Sequence, residues 1–318
     1  PKTTKCKCTF LHNLFIIFRS YEDIKLLTQN QIGVMYMVAS VICFSVMDIC
    51  VKWLDYYPVG QVLFLRFFIG FIPIFFIIPR EKIFSFYKTT RPGLHAFRAI
   101  TGALAIIALF YGLRELPLAD VVSLTFGGPI FVTIASIFFL SEQVGIKRWS
   151  AVFIGFIGML LIIQPAFLDL NYYYISPIIF CIFFACVAIS VRSLSKTEAN
   201  YTIAFYFTSL CTIIGLCSIF FVDWIMPSKI DFLIFIILGL CGSAGNLLLT
   251  HSYRLAEASL VTPIKYLSLI FAIIFGFFIW SEVPKVLTLL GAALVVLSSL
   301  IIFVRETKLK KQIINPRS

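Results

Sequence analysis

Asp48, Lys52, Arg66, Arg98 and Lys265 are charged side chains set inside long apolar runs. A charge in such surroundings must find a partner, reach water or serve a ligand. Asp48 and Lys52 stand one helical turn apart and can neutralise each other on a single helix face. The other reading has Asp48 facing an interior cavity, where its carboxylate contacts a cationic part of a substrate or takes up a proton. Lys265 follows Thr262-Pro263-Ile264, and a proline there removes a backbone donor and loosens the helix. Its amine can then meet a carboxylate or phosphate in a cavity, or extend to a polar boundary. Arg66 lies among Leu65, Phe67 and Phe68, which demands an interior partner, with Asp48 the candidate. Arg98, at the start of its run, reads equally as a boundary anchor. Glu142 and Glu282 each follow a serine at the end of an apolar run, a placement suited to accepting bonds from free amides at the start of the next helix.

Catalytic constellations are absent. The sequence has no G-x-x-x-x-G-K-[ST], no H-E-x-x-H, no G-x-S-x-G and no dense carboxylate set. No enzyme activity is expected, and an ATP-driven engine would have to come from another subunit. Seven of the nine cysteines lie within apolar runs, where a thiol acts as a small hydrophobe. Cys6 and Cys8 form a lone C-x-C, and His12, His95 and His251 are scattered. Neither pattern has zinc-site spacing, so neither metal nor cofactor is expected.

The elements that must hold these charges are membrane-spanning helices. Apolar residues make up 60% of the chain, aromatic residues 16% and charged residues only 13%, and the mean hydropathy is +1.00. Soluble domains do not have that balance. Ten runs approach the roughly 20 residues a helix needs to cross the hydrocarbon core: 32–53, 59–79, 93–113, 118–140, 148–164, 175–194, 201–222, 231–254, 259–280 and 286–304. The net charge of +11 resides mainly on one side of them. Lys and Arg gather before the first run, after the last, and in alternate connections between, the distribution of cytoplasmic segments. Both termini are therefore expected in the cytoplasm, with the basic tail at 306–318 against anionic lipid and no nucleic-acid role. Residues 1–31 form a basic and apolar leader without a small-residue cleavage site, expected to be cytoplasmic and either disordered or upstream of the native start.

The runs repeat at an offset of 140 residues. Phe44, Ile49, Val51 and Lys52 fall on Phe184, Ile189, Val191 and Arg192, while Ile130, Phe131, Ile134, Phe138, Ser141 and Glu142 fall on Ile270, Phe271, Ile274, Phe278, Ser281 and Glu282. Five spans per copy oblige the second copy to enter the membrane from the opposite side, the inverted-repeat plan of secondary transporters. Thr125 and Phe126 are the counterparts of Lys265 and Tyr266, a polar and an aromatic residue at equivalent depth. Gly127-Gly128-Pro129 and the series Gly239, Gly242, Gly245, Asn246 serve either close packing or bending; Gly155, Gly158 and Gly291 are expected to serve packing alone.

Leu116-Pro117-Leu118-Ala119-Asp120, Pro129, Phe139-Leu140-Ser141-Glu142, Arg148-Trp149 and Gly155-Phe156-Ile157-Gly158 up to Pro165 resemble the EamA domain of the drug/metabolite transporter superfamily. Ala258-Ser259, Thr262-Pro263, Lys265-Tyr266-Leu267 and Ser281-Glu282-Val283-Pro284 resemble the same domain again. The resemblance implies an all-α membrane protein of ten helices in two inverted five-helix repeats, 32–165 and 175–305. It further implies a cavity lined by Phe44, Asp48, Tyr111, Phe126, Pro129, Asn246, Lys265 and Tyr266. Arg66-Phe67-Phe68, Arg91-Pro92 with His95 and Arg98, and Pro263 with Lys265-Tyr266-Leu267 are most similar to S-adenosylmethionine uptake carriers of obligate intracellular bacteria. Those carriers have an acidic residue where this chain has Ala188 and an arginine at Lys265. The expected protein is a carrier of small organic metabolites in a bacterial inner membrane, a monomer or homodimer, taking up or exchanging S-adenosylmethionine. Export of amino acids or other metabolites is the alternative.

Overall fold

A chain this apolar has few side chains to satisfy its backbone amides, so its runs close their hydrogen bonds on themselves as helices. The structure is a computed structural model and describes residues 29–75, 78, 87–140, 146–169, 171–195, 197–256 and 261–314. Among them are α1 (Gln29–Trp53), α2 (Val59–Phe75), α3 (Pro92–Glu115), α4 (Leu118–Thr125), α5 (Gly128–Leu140) and α6 (Ile146–Asp169). The second half holds α7 (Ile175–Leu194), α8 (Asn200–Cys217), α9 (Lys229–Leu255), α10 (Leu267–Trp280) and α11 (Val286–Ile314), with a 3-10 turn at Thr262–Tyr266 before α10. No strand occurs among the described residues. The leader through residue 28 with Cys6, Cys8 and His12, the Ser141-Glu142 pair, Ala258-Ser259 and the end of the tail at 315–318 lie outside them.

Among the described residues, six segments are long and apolar enough to cross a membrane: Gln31–Trp53, Pro92–Glu115, Leu118–Ala135, Tyr172–Val191, Asn200–Phe220 and Lys229–Tyr253. Val59–Phe75, Trp149–Ile163, Ile264–Trp280 and Val286–Ile301 are shorter apolar helices. The run expected as one helix over 118–140 is broken instead. α4 ends at Thr125, Phe126 and Gly127 make a turn, and the Gly127 N–H bonds back to Leu124 O at 2.9 Å. Pro129 brings no N–H to continue the ladder, so α5 starts afresh.

Small residues set the spacing between helices. α1 packs on α9, α3 on α7, α2 on α8 and α6 on α11. At the last contact a Cβ on Gly158 would lie 2.7 Å from Gly291 O, so the two backbones touch as the expected packing role requires. Serines tie neighbours together: Ser40 Oγ donates to Gly245 O at 2.8 Å, Ser252 Oγ to Gly33 O at 2.7 Å and Ser298 Oγ to Ala151 O at 2.6 Å. The outer faces are apolar. Phe153 is 63% exposed and Leu290 54%, a belt that hydrocarbon solvates and water would not.

One end of the bundle is tied across the two halves by polar bonds. Lys52 forms a salt bridge with Glu282 and donates to Leu116 O at 2.6 Å. The local Asp48–Lys52 ion pair is not formed, because Lys52 projects past the end of α1 to where α3 leaves a bare carbonyl. Ser281, with φ 56°, ends α10 in the left-handed conformation and presents Glu282 to that spot. Glu282 Oε2 accepts the Leu118 N–H at 3.0 Å. Glu282 thus performs the amide-accepting job expected of it, on α4 of the other half rather than on the helix that follows it. At the same end Tyr57 donates to Asp231 at 2.7 Å, the Gln61 amide exchanges two bonds with the Ile225 backbone, and Tyr174 donates to Asp120.

Lys52 is 7% exposed and Glu282 21%, so removing one partner strands the other. Lys52→Met is expected to destabilise the protein by about 3–5 kcal/mol, and Lys52→Met with Glu282→Gln to recover half or more of that. Thermal unfolding in detergent measures both; an equal loss in single and double variants would uncouple the pair. In the same assay Gly158→Val, which forces a branched side chain against Gly291 O, is expected to cost about 1–3 kcal/mol.

Candidate functional site

Away from the Lys52–Glu282 end, α2, α3, α8 and α9 enclose a cavity of about 330 Å³, a size suited to a small metabolite. The helix ends explain the opening: this is the region of the α2 C-terminal half, the first turns of α3 and α8, and the last turns of α9. Arg66 and Phe67 come from α2, Arg98 from α3, Tyr201, Phe207 and Thr208 from α8, and Ser243 and Asn246 from α9. Among the described lining residues two are arginines, one is His251 and none is an acid.

Arg66 is 5% exposed. Its Nη2 meets the sulfur of Met47 at 3.3 Å, its Nε has no hydrogen-bond partner among the described residues, and its guanidinium lies 4.5 Å from the Phe67 ring centre. Asp48 interacts with it electrostatically, yet the two form no salt bridge. The bonded Arg66–Asp48 partnership expected from the sequence is therefore only a through-space attraction. Arg98 rests 3.9 Å above the centre of the Phe207 ring, and its Nε and Nη1 are likewise without partners among the described residues. Ring faces attract cations but accept no strong hydrogen bond. Both arginines line the cavity, and their unbonded nitrogens are buried in its wall.

Of the eight residues expected to line a cavity, Asn246 faces this one, its Nδ2 donating to Gly242 O at 2.9 Å. Phe44 packs over Gly245, where a Cβ would come within 3.1 Å of the ring. Asp48 borders a separate void of about 10 Å³ with Ser45, Leu118, Val122, Ser268, Ala272 and Phe275, space for no more than a single water. Phe126 and Tyr266 meet edge to face, ring centres 5.0 Å apart. Lys265 lies 5.3 Å from the centre of the Tyr253 ring. Tyr111 is 46% exposed, and Pro129 is exposed in the first turn of α5. The structure thus joins Phe126 to Tyr266 and leaves Asp48, Lys265 and Tyr111 apart from each other.

The sequence reading missed Phe207, Thr208 and Tyr201 as cavity residues and left Arg98 as an anchor. A signal was available. Phe67 and Phe207, each beside an arginine of the cavity, are counterparts at the 140-residue offset, and so are Gly102 and Gly242. The Phe67 and Phe207 rings meet edge to face, their centres 5.2 Å apart.

The chain is 27% identical over 271 residues to the pseudopaline exporter of Pseudomonas aeruginosa, covering 84% of this chain and 94% of that protein. It is 27% identical over 278 residues to the S-adenosylmethionine uptake transporter of Rickettsia prowazekii, covering 87% and 94%. A riboflavin transporter of Rhizobium johnstonii is 26% identical over 286 residues, covering 88% and 94%. A solved crystal structure superposes with a TM-score of 0.61 at 14% identity, over 87% of this chain and 98% of that one; it bears on the fold alone. These relatives are transporters, not enzymes, and they are named for different small molecules. The model of the EamA-like transporter family matches twice, over residues 31–164 and 171–304. Matched across both halves, the chain belongs to the EamA-like transporter family.

Proposed function

We propose that this protein is a secondary carrier of small organic metabolites in a bacterial inner membrane. It works by alternating access of two inverted five-helix halves, with both termini cytoplasmic. The observation that carries the reading is the contrast between the two ends of the bundle. A cavity that holds two arginines in a mainly apolar wall occupies one end, while the Lys52–Glu282 pair and its neighbouring bonds join the halves at the other. That is the arrangement of a carrier open to one side.

Three further observations support an inverted pair. The family model matches each half separately. Helix partnerships respect the exchange of halves: α1 with α9 mirrors α7 with α3, while α2 pairs with its counterpart α8 and α6 with its counterpart α11. The fourth run turns at Phe126–Gly127 and the ninth opens with a 3-10 turn at Thr262–Tyr266, about one repeat apart, and paired irregular helices support a midplane site of the kind such carriers use. The Lys and Arg distribution supports an open end that faces the cytoplasm.

S-adenosylmethionine uptake or exchange is the specific reading, supported by the Rickettsia relative and by a cavity that combines cations with aromatic rings. Export of an amphoteric metabolite is the second reading, supported by the pseudopaline relative. Phe126, Pro129, Asn246 and Tyr266, together with Phe44, Tyr111, Asp48 and Lys265, form the translocation path in this proposal, with Asp48 as the acidic group engaged when the cavity changes sides.

Proteoliposomes carrying labelled S-adenosylmethionine, amino acids and riboflavin provide the test. Saturable flux of S-adenosylmethionine without chemical change is expected; flux confined to the outward direction favours export, and no flux of any compound rejects the carrier. Asp48→Asn is expected to cut flux at least tenfold at unchanged expression, and wild-type flux in that variant would remove Asp48 from the path. Lys265→Met is expected to weaken competition by a carboxylic acid relative to its amide.

A further inference from the structure

We infer that Arg66 and Arg98 together form an anion subsite, a clamp for a carboxylate or phosphate group of the transported molecule. The inference rests on the carrier reading and names the chemical class of its cargo. Four observations converge on it. Arg66 is almost wholly buried, yet its Nε is unbonded; Arg98 has two unbonded nitrogens. Both border the same cavity, whose lining includes no acid among the described residues. Each guanidinium is seated against a glycine: a Cβ on Gly242 would lie 3.0 Å from Arg66 Nε, and a Cβ on Gly102 would lie 2.6 Å from Arg98 Nη1. Each is backed by an aromatic ring, Phe67 behind Arg66 and Phe207 behind Arg98.

A charged side chain that merely braced helices would be expected to have its donors bonded, as Lys52 does. These two are held in place by shape, glycine notches on one side and ring faces on the other, and their hydrogen-bonding capacity is kept free. Guanidinium forks bind the oxygens of carboxylates and phosphates in pairs, and unspent donors in a place poor in water make that binding strong. Asp48 lends Arg66 a distant counter-charge but has no counterpart beside Arg98, so the cavity remains net positive. Asn246 and Thr208 supply neutral polar contacts, and the aromatic rings receive the organic remainder.

The test titrates purified full-length protein in detergent with succinate, inorganic phosphate and S-adenosylmethionine at constant ionic strength, followed by thermal unfolding. At least one is expected to raise the unfolding temperature saturably by several degrees. Arg66→Gln and Arg98→Gln are each expected to weaken that binding at least tenfold, and Arg98→Lys at least threefold. Without ligand, Arg98→Gln is expected to unfold at or above the wild-type temperature, since it removes a charge with no acidic neighbour among the described residues; a structural arginine would give the reverse. Gly242→Ala keeps both charges, displaces Arg66, and is expected to weaken binding about threefold, a measurement that stands should a glutamine variant fail to fold. Binding of phosphate alone assigns the clamp to phosphoryl groups, and binding of succinate or S-adenosylmethionine alone assigns it to carboxylates. No saturable binding, or binding unchanged within twofold in the arginine variants, overturns the inference. Metabolite flux without anion binding sinks the clamp and leaves the carrier standing; anion binding without flux does the opposite.

Discussion

Hydrocarbon offers no hydrogen bonds, so every charge within the apolar runs must be accommodated by the protein itself. The two ends of the bundle answer that constraint differently. At one end Lys52 finds a carboxylate, a backbone carbonyl and the Trp280 ring, 5.4 Å from its nitrogen to the ring centre. At the other, among the described residues, Arg66 and Arg98 meet ring faces, a thioether and the distant charge of Asp48. The first is a closed account of donors and acceptors; the second leaves donors beside a cavity.

Much of the scaffold was legible because the signals that define it are local. Long apolar runs, the halves at a 140-residue offset, and the packing glycines at 158 and 291 all follow from composition and spacing, and α6 and α11 do touch at those glycines. Gly127-Gly128-Pro129 was legible as a weak point, though its consequence is a full restart of the helix at Gly128 rather than a bend. Partner choice was not legible. An i,i+4 rule made Asp48 the natural mate of Lys52, but the rule assumes an exposed helix face. Here Lys52 sits at a helix end, where Leu116 O and Glu282, 230 residues away, outcompete a neighbour on the same helix.

Arg98 was obscure for a related reason. Near the start of a run, an arginine reads as an anchor unless one knows that Phe207 covers it and that Gly102 makes room below it. Both contacts come from shape: one is a ring from another helix, the other an absence of side chain. The pairing of Phe67 with Phe207 and of Gly102 with Gly242 across the repeat shows where such information resides. Positions that match between halves, but are neither polar nor charged, mark the surfaces on which the unmatched charges rest.

Asymmetry between the halves then becomes an expected feature of the carrier reading rather than a flaw in it. Two identical halves would face each other with identical side chains, and like charges across the pseudo-axis would repel in a medium that screens them poorly. Lys265 opposite Thr125, Asp48 opposite Ala188 and Arg66 opposite Tyr206 each put a charge in one copy against an uncharged residue in the other. In the proposed carrier, the shared backbone plan would let the two halves exchange roles during access to either side, while the unshared charges would give the site a direction and a preference for ligand. A ligand can favour closure only by binding the closed state more tightly than the open one. Neutralising two unsatisfied guanidiniums is an interaction that grows as water leaves the cavity, so an anionic group bound there would draw α2, α3, α8 and α9 together and oppose the bonds that hold the far end shut.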